Sequence, residues 1–248
     1  MGREAIDYSQ AAVPVRADLG ETHSRYWHRL ARAGSWWSGA ERIAIANETR
    51  QATECSLCAR RRESLSPYTI DGEHDRVSDL PEAAVDVVHR IVTDASRLTS
   101  AWYESALGKG LSEGQYIEIV GTVVSVVSID SFCRGLGVPR HPLPEPVDGT
   151  PDTYRPASAS LEEAWVPLVP DDNSGTPEAD LWPANRTGYV VRAMSLVPEE
   201  VRTLKDLSAA HYLPMRDVRN PAASRGALNR PQIELIAGRV SALNECFY

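Results

Sequence analysis

The chain has 248 residues, 42% of them hydrophobic and 24% charged, with a formal net charge of -8. An acidic balance without a basic tract argues against a nucleic-acid partner. The opening MGREAIDYSQ lacks the apolar core of a secretory signal, and no uninterrupted apolar run approaches the ~18 residues that cross a membrane. These features predict a soluble, cytoplasmic protein of one large or two small domains, with neither nucleic acid nor membrane among its partners.

Residues 1–20, with Pro14 and Gly20, read as an irregular lead-in. Thr22 or Ser24 is predicted to cap a first helix whose apolar stripe carries Tyr26, Trp27, Leu30 and Ala31 and which ends at Gly34. Trp36 and Trp37 follow as core anchors. Ser38, with Glu41 three residues later, has the spacing of a capping box and opens a second helix, ERIAIANETRQATECSLCARRR. In one continuous helix, Glu41, Glu48, Cys55 and Arg62 recur every seven residues and share a stripe, with Cys58 a turn beyond Cys55.

This Cys-x-x-Cys pair is the candidate centre of chemistry. A thiol with a pKa of ~8.5 becomes a useful nucleophile beside a cation or a proton acceptor, and two thiols at i and i+3 can close into a disulfide after one is oxidised. Glu41 is assigned to the cap, which leaves Glu48 as the internal carboxylate and Arg62 as the cation. The next stretch, ESLSPYTIDGEHDRVSDLPE, is broken by Pro67, Gly72 and Pro81 into a loop. It sets His74 among Asp71, Glu73 and Asp75, so His74 is the candidate proton carrier. Buried packing cysteines are the structural alternative. A metal site of Cys55, Cys58 and His74 has no evident fourth ligand, because Cys133 and Cys246 stand alone, so neither a metal nor a cofactor is expected.

Helical period returns after Pro81 through Val85, Val88, Ile91, Val92, Leu98, Trp102 and Leu107, with an interruption at 94–96. Ser112 caps a run from Glu113 to Leu136 that β-branch counting would make a strand. Its length decides for helix, and Gly121, Ser125 and Ser128 form a small-residue stripe for a neighbouring helix. Cys133 reads as a packing residue. Ten of the 17 prolines fall between Val138 and Asn185, an extended wrap or linker whose Leu161, Trp165, Val166 and Leu168 should dock on a domain surface. Helical pattern resumes at Asn185, and Pro198 marks the start of a helix with Val201, Leu204, Leu207 and Ala210 on one face.

The last stretch repeats the first. With Cys246 set on Cys55, Ile236 matches Ile45, Ala237 matches Ala46 and Glu245 matches Glu54. PQIELIAGRVSALNECFY resembles the segment leading into the Cys-x-x-Cys of the alkylhydroperoxidase D and carboxymuconolactone decarboxylase superfamily. ERIAIANETRQATECSLC and LSEGQYIEIVGTVVSVVSIDSFCRGLGVP look like the catalytic and final helices of the same domain. The resemblance covers roughly residues 24–140 and 183–248. It implies an all-α protein, assembled as a homo-oligomer, that reduces a hydroperoxide substrate with a Cys pair recycled by a thiol reductant. It also implies that Cys58 attacks the peroxide and Cys55 resolves it. The division expected is a first domain over 1–140, a Pro-rich linker over 141–182, and an incomplete second repeat over 183–248 whose apolar face should pack on the first repeat or across a subunit interface. Three departures stand out: Arg62 holds the position of the family's histidine, Ile43 that of its relay glutamate, and Glu234 the equivalent glutamate position before Cys246. A noncatalytic scaffold or small-ligand binding member is the alternative.

Overall fold

The computed structural model describes residues 6–182, 187–244 and 246. The boundary at residue 183 and the Glu245 correspondence fall outside them, as does the resumption of helix at Asn185. The chain is all-α: among the described residues there is no strand, only two isolated bridges, Ser160 with Leu168 and Arg225 with Leu228. Nine α-helices follow in order among the described residues. They are α1 (Ala17–Leu30), α2 (Gly39–Gln51), α3 (Ser56–Glu63), α4 (Glu82–Asp94), α5 (Ser100–Gly108), α6 (Glu113–Leu136), α7 (Tyr189–Arg192), α8 (Pro198–His211) and α9 (Arg230–Leu243).

The centre is α6, which packs on α2, α4 and α8. Ser112 accepts from the Gln115 amide while Gln115 reaches back to Ser112, so this helix starts where its capping sequence sets it, and it ends at Gly137 in the left-handed region (φ 69°). By length and composition α6 could cross a membrane, but 61% of its most apolar window is buried inside this fold. Ile117, Ile119 and Val123 meet Ile45 of α2 and Ala84, Val85, Val87 and Val88 of α4 in the main core. Farther along, Val126 and Ile129 join Tyr26, Trp27 and Leu30 of α1 and Leu207 of α8. The small-residue stripe does admit a neighbour: a Cβ built on Gly121 would lie 2.2 Å from Glu200 Oε2 of α8. That carboxylate and Glu118, both fully buried, flank the buried Arg42 of α2.

Two helix boundaries differ from expectation. The first helix starts at Ala17 rather than after Thr22 or Ser24; Ser24 Oγ instead donates to Gly20 O and accepts from Ile6 N. The predicted continuous helix through Glu41 to Arg62 is broken. The capping box at Ser38 and Glu41 is present, but α2 ends at Gln51, a 3₁₀ turn covers Ala52–Glu54, and Cys55 is extended (φ -72°, ψ 124°) before α3. Thr53 Oγ1 donates back to Arg50 O, the local side-chain bonding by which a β-branched hydroxyl residue competes with regular helix.

The Pro-rich segment lies along the helices. Val147 N donates to Ala31 O, Thr153 N to Ser35 O, and the Trp27 indole to Pro142 O. Val166 and Leu168 are buried as expected of docking residues, together with Val169, Leu181 and Trp182, whereas Leu161 and Trp165 are exposed. The expectation for α9 is not met within this chain. Only Ile233 is buried, against Leu213 and Ala223, while Ile236, Val240 and Leu243 are 52%, 51% and 64% exposed. The reason is local: the turn-rich stretch before α9 forms its own small cluster and holds only the first turn of the helix.

Candidate active site

The break between α2 and α3 is what builds the site. Because Cys55 is extended and serves as the N-cap residue of α3, its sulfur and that of Cys58 turn to the same side, within 4.8 Å of each other and of two imidazole nitrogens. Both cysteines are free thiols and buried. The loop carrying His74 is fastened over them at two points. Asp75 Oδ2 accepts from Ser56 N at 2.6 Å, filling the anion position at the N-terminus of α3. Glu48 Oε1 of α2 accepts from Val77 N at 2.9 Å and from Ser78 Oγ at 2.6 Å.

The sequence placed His74 near the thiols but missed His89. The His74 Nδ1 lies 3.6 Å from Cys55 Sγ and 3.5 Å from Cys58 Sγ. His89, fully buried on α4, presents its Nδ1 at 3.4 Å from Cys58 Sγ. Each ring is anchored by its far nitrogen: His74 Nε2 donates to Asp86 Oδ1 at 2.9 Å, and His89 Nε2 donates to Glu48 Oε2 at 2.9 Å. The one available signal for His89 was its place on the apolar stripe of α4, one turn after Val85, where a histidine must find a buried partner.

Two expectations about the other polar residues change. Arg62 does not join the cluster: its side chain is exposed, because the break before α3 rotates position 62 off the stripe it would share in a continuous helix. The neighbouring Arg61 takes that place, with Nη1 2.8 Å from Asp86 Oδ1 and 3.4 Å from His74 Nε2. Glu48 does not touch a sulfur; it acts on Cys58 through His89. Glu234, on α9, pairs with Tyr212 and Arg230 instead.

Electrostatics divide the two histidines. Burial disfavours charge on His74, but the hydrogen bonds its ring donates to Asp86 and to both sulfurs outweigh it and lift its pKa to about 10, so this ring is an imidazolium at neutral pH. Burial lowers the His89 pKa and the nearby His74 charge adds to it, against the opposing pull of Glu48, so this ring is neutral. A neutral ring that donates Nε2–H to Glu48 has a free lone pair on Nδ1, aimed at Cys58. Burial raises the Cys55 thiol pKa, but amide hydrogen bonds from Cys58 and Asp75 and the contact with His74 bring it below its usual value. Asp86 is held well below the usual carboxylate range: burial opposes this, but His74, the Trp102 indole and Arg61 outweigh it.

A depression of about 560 Å³ lined by Arg61, Tyr68, His74, Asp86, Arg90 and Trp102 adjoins the site through His74, and neither cysteine is among its lining residues. Arg90 is 2% exposed and its guanidinium sits over the rings of Tyr68 and Trp102.

A pH dependence of stability follows from His74. Its folded-state pKa, about 10, is above the unfolded value of 6.5, so its contribution is complete below pH 6.5 and is lost as the pH rises through about 10. The denaturation midpoint of the reduced protein should therefore fall between these limits, and His74→Gln should flatten that fall. Parallel midpoint curves for the two proteins would contradict the assignment.

No protein-family model, curated protein or solved structure matches the chain.

Proposed function

We propose that the chain is a thiol-dependent hydroperoxide reductase, built on the pattern of the alkylhydroperoxidase D-like superfamily and cycling Cys55 and Cys58 between dithiol and disulfide. One observation carries the reading: Cys58 Sγ stands between a neutral imidazole at 3.4 Å and a second imidazole at 3.5 Å whose pKa is raised, each backed by a buried or half-buried carboxylate. A base and a cation on one sulfur are what lowers the barrier to forming and using a thiolate.

In this scheme His89 Nδ1 takes the Cys58 proton, while His74 stabilises the resulting thiolate. The thiolate attacks the outer oxygen of a hydroperoxide ROOH, the O–O bond breaks, and Cys58 becomes a sulfenic acid. The leaving alkoxide takes a proton from the histidine pair and departs as ROH. Cys55 then attacks the sulfenic sulfur, closing the disulfide and releasing water, and two equivalents of a thiol reductant restore the dithiol. Glu48 and Asp86 position the rings. The tandem-repeat reading, a cytoplasmic location and assembly as a homo-oligomer belong to the same proposal; the exposed Ile236, Val240 and Leu243 on α9 support the last of these.

Metal-free, reduced protein given hydrogen peroxide or an organic hydroperoxide should consume it with dithiothreitol as reductant. Cys58→Ser should abolish the reaction, while Cys55→Ser, given one equivalent of peroxide with dithiothreitol left out, should hold a sulfenic acid that dimedone traps at Cys58. Unchanged consumption in Cys58→Ser, or two thiols that remain reduced in peroxide, would remove this function.

A further inference from the structure

The same four side chains have a second capacity that peroxide chemistry does not require. The edge of a tetrahedron is about 1.6 times its centre-to-corner distance, so Zn–N of ~2.0 Å and Zn–S of ~2.3 Å put neighbouring donors about 3.3–3.8 Å apart. The separations, 3.6 Å and 3.5 Å from His74 Nδ1 to the two sulfurs and 3.4 Å from His89 Nδ1 to Cys58 Sγ, fall in that range. All four donor atoms lie within 4.8 Å of one another, so only small movements of the widest pair are needed to close a shell.

The surroundings match a metal site as well as the distances do. Both rings turn the same nitrogen, Nδ1, toward the sulfurs, and both spend the other on a carboxylate, Asp86 for His74 and Glu48 for His89. This carboxylate–histidine arrangement fixes the tautomer and orientation of a metal-ligating imidazole. Cys55 Sγ also accepts the Asp75 amide at 3.4 Å, and the Cys58 amide bonds to it too, contacts that stabilise a sulfur carrying negative charge. Two thiolates would cancel the charge of a divalent ion in a buried place where an uncancelled charge is costly. Two sulfurs and two nitrogens in tetrahedral disposition select zinc over calcium, magnesium or manganese.

We propose that Cys55, Cys58, His74 and His89 bind one zinc(II) ion in a closed Cys₂His₂ site, and that the bound ion masks the dithiol. Four protein ligands leave no open position, so the ion is a lock on the sulfurs and not a Lewis acid for substrate. The ion needs deprotonated sulfurs and a free lone pair on each Nδ1, so uptake is coupled to proton release. Where a hydroperoxide does reach the thiolates, ROOH and two protons oxidise them to the disulfide, giving ROH and water and setting the ion free. Zinc binding stands independently of the proposed peroxidase activity; only the masking of peroxide turnover rests on that reading.

The test uses the full reduced chain, stripped with a chelator, and titrated with zinc chloride or cobalt(II) chloride. One equivalent should bind, the melting temperature should rise, and the cobalt form should show the intense visible bands and the sulfur-to-metal charge transfer of a tetrahedral site. Cys58→Ser and His89→Gln should lose the equivalent, while Cys246→Ser should keep it. Alkylation of Cys55 and Cys58 should slow at least about tenfold with zinc bound, since thiolates held by a metal are poor nucleophiles toward the reagent. A wild-type chain that takes up no stoichiometric zinc, an octahedral cobalt spectrum, or uptake unchanged in both variants would overturn the site. Because uptake is measured without peroxide, and turnover on stripped protein, loss of one result leaves the other readable: zinc uptake without peroxide consumption sinks the peroxidase alone, and consumption without uptake sinks the zinc site alone.

Discussion

Glu48→Ala should destabilise the protein by about 3–5 kcal/mol, the cost of removing one partner from a buried charged or hydrogen-bonded pair. In a chain of this size that corresponds to a melting temperature lower by roughly 6–20 °C. The reason is the number of groups one carboxylate satisfies. Its side chain is fully buried, and it accepts from Val77 N, Ser78 Oγ and His89 Nε2. Alanine leaves three donors without an acceptor and frees the loop that carries His74. Glu48→Gln separates anchoring from chemistry. The amide oxygen can keep the bonds to Val77 and Ser78, but its NH₂ group then faces His89 Nε2 and forces the ring into the tautomer with the proton on Nδ1. That variant should fold near wild-type stability yet lose the base beside Cys58. Denaturation midpoints and thiol alkylation rates of the two variants measure this directly. A Glu48→Ala protein as stable as wild type would show that the loop is held by other contacts.

The second large effect is expected at His89. In metal-free protein, His89→Gln should slow peroxide consumption by roughly 10²–10³-fold, within the range that a positioned general base contributes. The motive is the neutral ring at 3.4 Å from Cys58 Sγ, whose pKa is lowered by burial and by the His74 charge. His74→Gln should act differently. Loss of the cation beside Cys55 should raise the pH at which that thiol alkylates, and so displace its pH profile rather than only lower its plateau. Alkylation read by mass spectrometry, at Cys55 for His74→Gln and at Cys58 for His89→Gln, distinguishes cation from base. If His89→Gln leaves both the alkylation rate and its pH profile unchanged, the relay does not run through this ring.

Local signals determined much of this protein. The 3.6-residue period and the length of the run from Glu113 to Leu136 required a helix there despite its β-branched residues, and the capping boxes at Ser38 and Ser112 set where α2 and α6 begin. The Cys-x-x-Cys spacing and the loop histidine at 74 were legible for the same reason: each is a short-range pattern whose chemistry depends on a few neighbouring residues. The all-α class follows from such patterns summed along the chain. What the sequence did not reveal was set by packing. Continuous helical geometry put Arg62 on the cysteine stripe, but the 3₁₀ turn before Cys55 and the cap supplied by Asp75 reset the direction of α3 and brought Arg61 inward. His89 is 31 residues from Cys58 and 41 from Glu48, and reads locally as one polar residue in an apolar helix face. Only the packing of α4 on α2 and α3 brings its ring to the thiols, because the energy of a buried imidazole is decided by the donors and acceptors that other elements place around it. The exposed face of α9 belongs to the same class: its apolar period was plain in the sequence, while what it touches depended on the turn-rich segment that holds its first turn.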